Sequence, residues 1–134
     1  MTSGIYRGYS YWIRRTCIGV LTAYVDIDQN AVLSRLLAGS DLSAADELLS
    51  VHGGITFCRV IDCKYKFADG FVLPHGHLCI GWDYGHAGDI DFGSWMAYRE
   101  KPEESRLCWS KVSEDKVLLD IKEVIDQIYR LYDK

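Results

Sequence analysis

The C-terminal stretch SEDKVLLDIKEVIDQIYRLYDK constrains the fold more than any other part of the chain. It sets Val117, Leu118, Ile121, Val124, Ile125, Ile128 and Leu131 at i, i+3, i+4, i+7 spacing. That is one apolar stripe on a helix of period 3.6. Ser113 suits the N-cap, Glu114 and Asp115 fall in the first turn, and Arg130 and Lys134 lie near the end. Acids at the start and bases at the end both favour the helix dipole. Asp120, Glu123 and Asp126 are expected on an acidic outer face, which is either a solvated surface or a recognition surface. A helix apolar on one side needs a layer to pack against.

The rest of the chain supplies strands for that layer. Residues 17 to 27, CIGVLTAYVDI, are β-branched and aromatic. Their alternate faces, Ile18, Val20, Thr22, Tyr24 and Cys17, Leu21, Ala23, Val25, are both largely apolar. A strand of this kind is expected to be covered on both sides. IYRGYSYWIRR before it is a candidate partner strand, with Gly8 marking a bulge or turn. NAVLSRLLA, residues 30 to 38, has apolar positions 32, 33, 36 and 37 and so predicts a helix ended by Gly39. Ser43 is the expected N-cap of a second short helix, AADELLS, with Asp46 and Glu47 in its first turn.

ITFCRVI and HLCIGWD read as strands, joined by a hairpin-like excursion, KYKFADGFVLPHG, that turns at Asp69-Gly70. Residues 92 to 99, FGSWMAYR, and 106 to 110, RLCWS, are expected further strands around an exposed polar turn, EKPEES. No repeat, linker or low-complexity tract interrupts the pattern. The sum is an α+β fold, a single domain over residues 1–134. It has a mostly antiparallel sheet, a short helix, and the long amphipathic C-terminal helix packed on it.

Composition narrows the function. Apolar residues make up 49% of the chain, with four Trp, nine Tyr and four Phe, enough for a core without metals or disulfides as staples. A net charge of −4 argues against a broad basic footprint, so direct nucleic-acid binding is not expected. Trp12, Trp82, Trp95 and Trp109 read as core or sheet-face residues. A base-stacking platform needs basic neighbours, and only Arg14, Arg15 and Arg106 offer any. No apolar run approaches the roughly 20 residues of a membrane span, and the N-terminus lacks the apolar core of a secretory signal. Cys17, Cys58, Cys63, Cys79 and Cys108 are odd in number and scattered. They read as reduced thiols of a cytoplasmic protein, with a zinc site from Cys58 and Cys63 as the alternative.

Two segments carry the unusual side chains. VHGGITF places His52 before paired glycines, Gly53 and Gly54, just ahead of a strand, with Thr56 the nearest hydroxyl. Paired glycines permit positive φ and a close backbone approach, the geometry of an anion-holding nest. GWDYGHAGDID sets Asp83, His86 and Asp89 three residues apart in a loop leaving a strand, with Gly88 between them and Asp91 beyond. If strands 55–61 and 77–82 are neighbours, the two loops converge at one sheet edge. Three readings are open. The side chains can fix turns and satisfy backbone groups. They can form a ligand or partner site. Or His52, Asp83, His86 and Asp89 can hold a divalent transition metal such as zinc, manganese or iron, with an open position for water. A metal-free imidazole held by a carboxylate can also act as a general base. His75 and His77, an H-x-H pair, share one face and are a weaker chelating candidate.

LTAYVDI, DELLSVHGGITF, IGWDYGHAGD and the closing helix, in that order, resemble a family of small uncharacterised bacteriophage and prophage proteins. That family's pattern is V-H-G-G-[LI]-T-[YF], then G-[FW]-D-x-x-H-x-G-D, then an amphipathic helix. The resemblance runs from about residue 17 to 131. It matches at His52, Gly53, Gly54, Thr56, Asp83, His86, Gly88 and Asp89. It departs at Tyr84, where relatives tend to have cysteine, and at Thr22-Ala23, where they tend to have Cys-Gly. The resemblance implies a small accessory protein in the host cytoplasm. Its expected role is to bind a host protein or defence complex, or to sequester a small nucleotide-like signal, as an anti-CRISPR-type antagonist does. Affinity would come from a compact patch of aromatic or charged anchors, either the acidic helix face or the His52/His86 edge. A metal-dependent hydrolase of a nucleotide or phosphoester is the alternative, and a virion role stands third.

Overall fold

A tight turn sets the first hairpin. Strands β1 (Thr2–Tyr6) and β2 (Tyr9–Arg15) are antiparallel, with Tyr6 facing Tyr9 across the loop. The two loop residues, Arg7 (φ 51) and Gly8 (φ 83), are both left-handed. Two positive φ values make the I′ turn whose twist matches the strands it joins. Arg7 is held there: its Nε donates to Asp126 Oδ1 at 2.7 Å, and its guanidinium lies 4.4 Å from the Tyr129 ring centroid.

The computed structural model describes residues 2–16, 19–39, 41–62, 67, 70–86, 89 and 111–133. Its remaining strands are β3 (Leu21–Asp26), β4 (Phe57–Val60) and β5 (Leu78–Asp83), and its helices are α1 (Ala31–Leu37), α2 (Leu42–Leu48) and α3 (Glu114–Tyr132). The five strands form one sheet in the order β1-β2-β3-β5-β4, with every pairing antiparallel. This is the α+β architecture expected. The expected strands at 92–99 and 106–110, the EKPEES turn, and Asp69, Cys17, Ile18, Cys63, Cys108, Gly88, Asp91, Trp95, Trp109, Arg106 and Lys134 lie outside the described residues.

Strand periodicity divides the core. Tyr9, Tyr11 and Ile13 of β2, Leu21, Ala23 and Val25 of β3, and Leu78, Ile80 and Trp82 of β5 face α3. Against them α3 lays Val117, Ile121, Val124, Ile125 and Ile128. On the other face Tyr24 and Cys79 pack with Ile61, Phe71 and Leu73 of the β4–β5 excursion, and Trp12, Phe57 and Phe67 pack against these. β3 is therefore covered on both sides, as its two apolar faces require.

Several boundaries differ from expectation. α2 is capped by Asp41, whose Oδ1 accepts from Ala44 N at 2.8 Å, and Ser43 falls inside the helix. A carboxylate two residues earlier supplied the better acceptor. Asp46 and Glu47 consequently lie beyond the first turn, and Asp46 Oδ1 accepts from Ile55 N instead. In α1 only Leu33 and Leu37 are buried, while Val32 and Leu36 face outward. In α3 Leu131 is exposed, while its neighbour Tyr132 packs against the core, and Asp120 is buried rather than on an outer acidic face.

Asn30 caps α1 and also reaches into the core. Its Oδ1 accepts from Leu33 N at 2.9 Å, and its Nδ2 donates to Tyr9 Oη at 3.0 Å. Asn30→Ala removes both bonds. It is expected to cost about 1–2 kcal/mol, read as a lower midpoint in urea with unchanged slope.

His77 does not chelate with His75. Its Nδ1 pairs with Asp26 Oδ2 at 2.6 Å, while His75 is exposed. The hydrogen bond and charge of Asp26 raise the His77 pKa above the ordinary imidazole value. The raised folded value means that the pair's stabilisation is complete below the unfolded pKa and is lost as pH rises through the folded one. The side chain is 48% exposed, so solvent screening keeps the effect to about 0.2–1 kcal/mol. The melting-temperature gap between wild type and His77→Gln is expected to be widest near about pH 5 and to close towards alkaline pH.

Candidate metal centre

β4 and β5 are neighbours, with Phe57 opposite Gly81 and Val60 opposite Leu78. The segment entering β4 and the loop leaving β5 therefore meet at one end of the sheet. Val51 to Gly54 turns back on itself, with Gly54 N donating to Val51 O at 3.1 Å, and Gly53 and Gly54 have φ of 69° and 89°. A Cβ on Gly53 would overlap the His86 ring, 2.7 Å from its Nδ1. The paired glycines thus serve backbone conformation and close approach together.

Asp89 is the anchor of the second loop. Its backbone is held on both sides, N–H to His86 O at 2.8 Å and O from Lys111 N at 2.7 Å. Its side chain is only 6% exposed. One carboxylate oxygen, Oδ1, lies 2.7 Å from His52 Nε2. The other, Oδ2, accepts from His86 N at 3.2 Å and lies 3.5 Å from His86 Nδ1. The rings of His52 and His86 meet edge to face, 6.2 Å apart between centroids.

His52, His86 and Asp89 are each able to offer one donor atom, all within 4.8 Å of one another. Two imidazoles and one carboxylate suit zinc, manganese or iron. Bonds of about 2.0–2.2 Å need donors somewhat farther apart than the His52–Asp89 hydrogen bond, so that contact would open slightly on metal binding. His52 and His86 remain partly exposed, at 34% and 45%, which leaves a route for an ion and for a further ligand. The ligating imidazoles must be unprotonated, so metal affinity is expected to fall on acidification, as titration at stepped pH would show.

Asp83 does not join this trio. Its Oδ1 accepts from Gly85 N at 3.0 Å, fixing the turn ahead of His86, and lies 3.7 Å from His86 Nδ1. The turn-fixing reading holds for Asp83, and Asp89 also satisfies a backbone group of its own loop, the His86 N–H. Thr56 is exposed and gives its backbone N–H to Gly81 O. Cys79 is buried in the second apolar cluster, and burial with nearby Asp26 and Asp28 pushes its thiol up to about 12. Burial also raises the Cys58 thiol. Neither is poised as a thiolate nucleophile.

Sequence reasoning missed the support beneath His52. The Tyr84 ring stacks on the His52 imidazole, with centroids 4.5 Å apart and planes at 19°. Tyr84 is wholly buried, and its Oη accepts from Trp82 Nε1 at 3.0 Å and donates to Asp120 Oδ2 at 2.7 Å. Lys116 Nζ donates to Asp120 Oδ1, also at 2.7 Å. Burial, with the Asp120 carboxylate adding to it, holds the Tyr84 phenol far above its ordinary pKa, so it is a donor throughout the accessible range. Two signals pointed here. Tyr84 is two residues from Trp82 and so shares its face, and Asp120 sits at i+3 from Val117 beside Ile121, at the edge of the apolar stripe.

Beside His52 a groove of about 340 Å³ runs between Ser50–Val51 and α3, where Asp120, Glu123 and Gln127 face it. Gln127 clamps its wall: Oε1 accepts from Ser50 N at 2.7 Å, and Nε2 donates to Ser50 O at 3.2 Å. No helix among the described residues is long and apolar enough to cross a membrane. No protein-family model, curated protein or solved structure matches the chain.

Proposed function

We propose that this chain is a small phage-type accessory protein that acts by binding. The centre of its ligand or partner site is a divalent transition metal held by His52, His86 and Asp89. One observation carries the site: donors from two loops, more than thirty positions apart in sequence, converge within 4.8 Å. The phage setting, and the role of antagonist of a host defence complex in the host cytoplasm, draw their support from the resemblance of the VHGGITF and GWDYGHAGD segments.

Binding is favoured over phosphoester hydrolysis by the groove beside the centre. Its exposed Glu123 puts a negative charge where a nucleotide's phosphates would approach, while the Asp120 charge is met by Lys116. The hydrolase reading keeps one supporting feature, since three protein ligands leave a coordination position for a water whose pKa a metal would lower.

The test is expression of the protein in phage-challenged cells that carry a defence system. Wild type is expected to restore phage growth and to capture a component of that system. The folded His52→Ala/His86→Ala variant is expected to do neither. A double variant that works as well as wild type would remove the site from the function. No rescue in any defended host would end the antagonist role. Release of phosphate from nucleotides by the zinc-loaded protein would favour the hydrolase.

A further inference from the structure

The metal trio accounts for His52 Nε2 but not for what holds the imidazole plane. A histidine in a short turn retains freedom about χ2 unless something fixes its ring. Here the imidazole makes a hydrogen bond at Nε2 and lies against one flat surface, the Tyr84 ring beneath it. Tyr84 has little freedom of its own. It is wholly buried, and its hydroxyl is tied to Trp82 of β5 and to Asp120 on α3.

We propose that Tyr84 is the positioning residue of this centre: its anchored ring sets the His52 plane, and so ties the metal site to helix α3. The inference rests on the metal-site reading above, since what Tyr84 positions is that site's ligand. Outer groups that orient a ligating histidine usually work by a hydrogen bond to its second nitrogen. Tyr84 does it with a ring face. Rings stacked at 4.5 Å oppose tilts that would swing Nε2 away from Asp89. The chain of contacts runs from His52 through Tyr84 and Asp120 to Lys116, so the metal loop is tied to the first turns of α3.

Cobalt(II) titration of Tyr84→Phe and Tyr84→Leu tests this, with the visible absorption of the bound ion as spectroscopic signature. Tyr84→Leu is expected to lose about 10–100-fold in affinity and to show an altered spectrum. Tyr84→Phe keeps the flat face and is expected to stay within about threefold of wild type. In a His52→Ala background the Tyr84→Leu change is expected to add nothing. Should Tyr84→Leu fail to fold, Tyr84→Met, flexible enough to fill the space without a flat face, carries the same comparison.

A second readout needs no metal. The His52 Nε2–H proton resonance, held by Asp89, is expected in wild type and Tyr84→Phe and absent from the variant without a ring. Wild-type affinity and an unchanged resonance in that variant would overturn the positioning role, as would an equal further loss in the His52→Ala background. If wild type binds no cobalt, the metal reading fails, while the proton resonance still decides the role of Tyr84.

Discussion

Asp89→Ala is expected to reduce divalent-metal affinity roughly 100-fold or more, since removing even an outer supporting group typically costs about 10–100-fold. Asp89 does three things at once: it pairs with His52 Nε2, accepts from His86 N, and approaches His86 Nδ1. Alanine leaves the part-buried His86 N–H and the His52 imidazole without their acceptor. The added stability loss is about 1–3 kcal/mol. Asp89→Asn separates the two effects. It retains an acceptor oxygen and most of the fold but forfeits the negative charge, so metal binding should fall much further than the melting temperature. If both variants bind zinc as wild type does, Asp89 is only a turn residue.

Gly53→Ala is the second large effect, and it acts through backbone and space together. A left-handed φ at a residue other than glycine costs about 1–3 kcal/mol, and Gly53 stands at φ 69°. The new methyl would also occupy the volume of the His86 ring. His86 would have to swing out, and the metal trio would lose a member. Gly54→Ala is the control. It is strained by its φ of 89°, but its Cβ meets the Asp46 carboxylate at 3.0 Å and not the site. Both changes should lower stability in chemical denaturation, and only Gly53→Ala should also abolish metal binding. Equal metal affinity in the two variants would show that the packing of His86 on Gly53 does not matter.

Much of this architecture was legible in the sequence because periodicity reports burial. The stripe from Val117 to Ile128 packs where its spacing placed it, and both apolar faces of LTAYVDI found cover. The convergence of VHGG with GWDYGHAGD was legible only conditionally. It required β4 beside β5, and pairing of distant strands leaves no mark in local pattern. Asp120 shows the limit most clearly. As a carboxylate on an amphipathic helix it reads as solvent-facing, yet the Tyr84 hydroxyl and Lys116 ammonium together make its burial tolerable. The Lys116 pair is local, at i, i+4 on the same helix, but the Tyr84 bond is a tertiary fact that joins α3 to the loop after β5. Asp83 shows the converse, a site-like residue whose Oδ1 also fixes its own turn.

Zinc titrated calorimetrically into chelator-stripped protein tests the central claim most directly. The account predicts saturable binding of a single ion per chain, lost when His52, His86 and Asp89 are together replaced by alanine in a variant that still folds. Absence of a saturable site, or one undiminished in that triple variant, would contradict it.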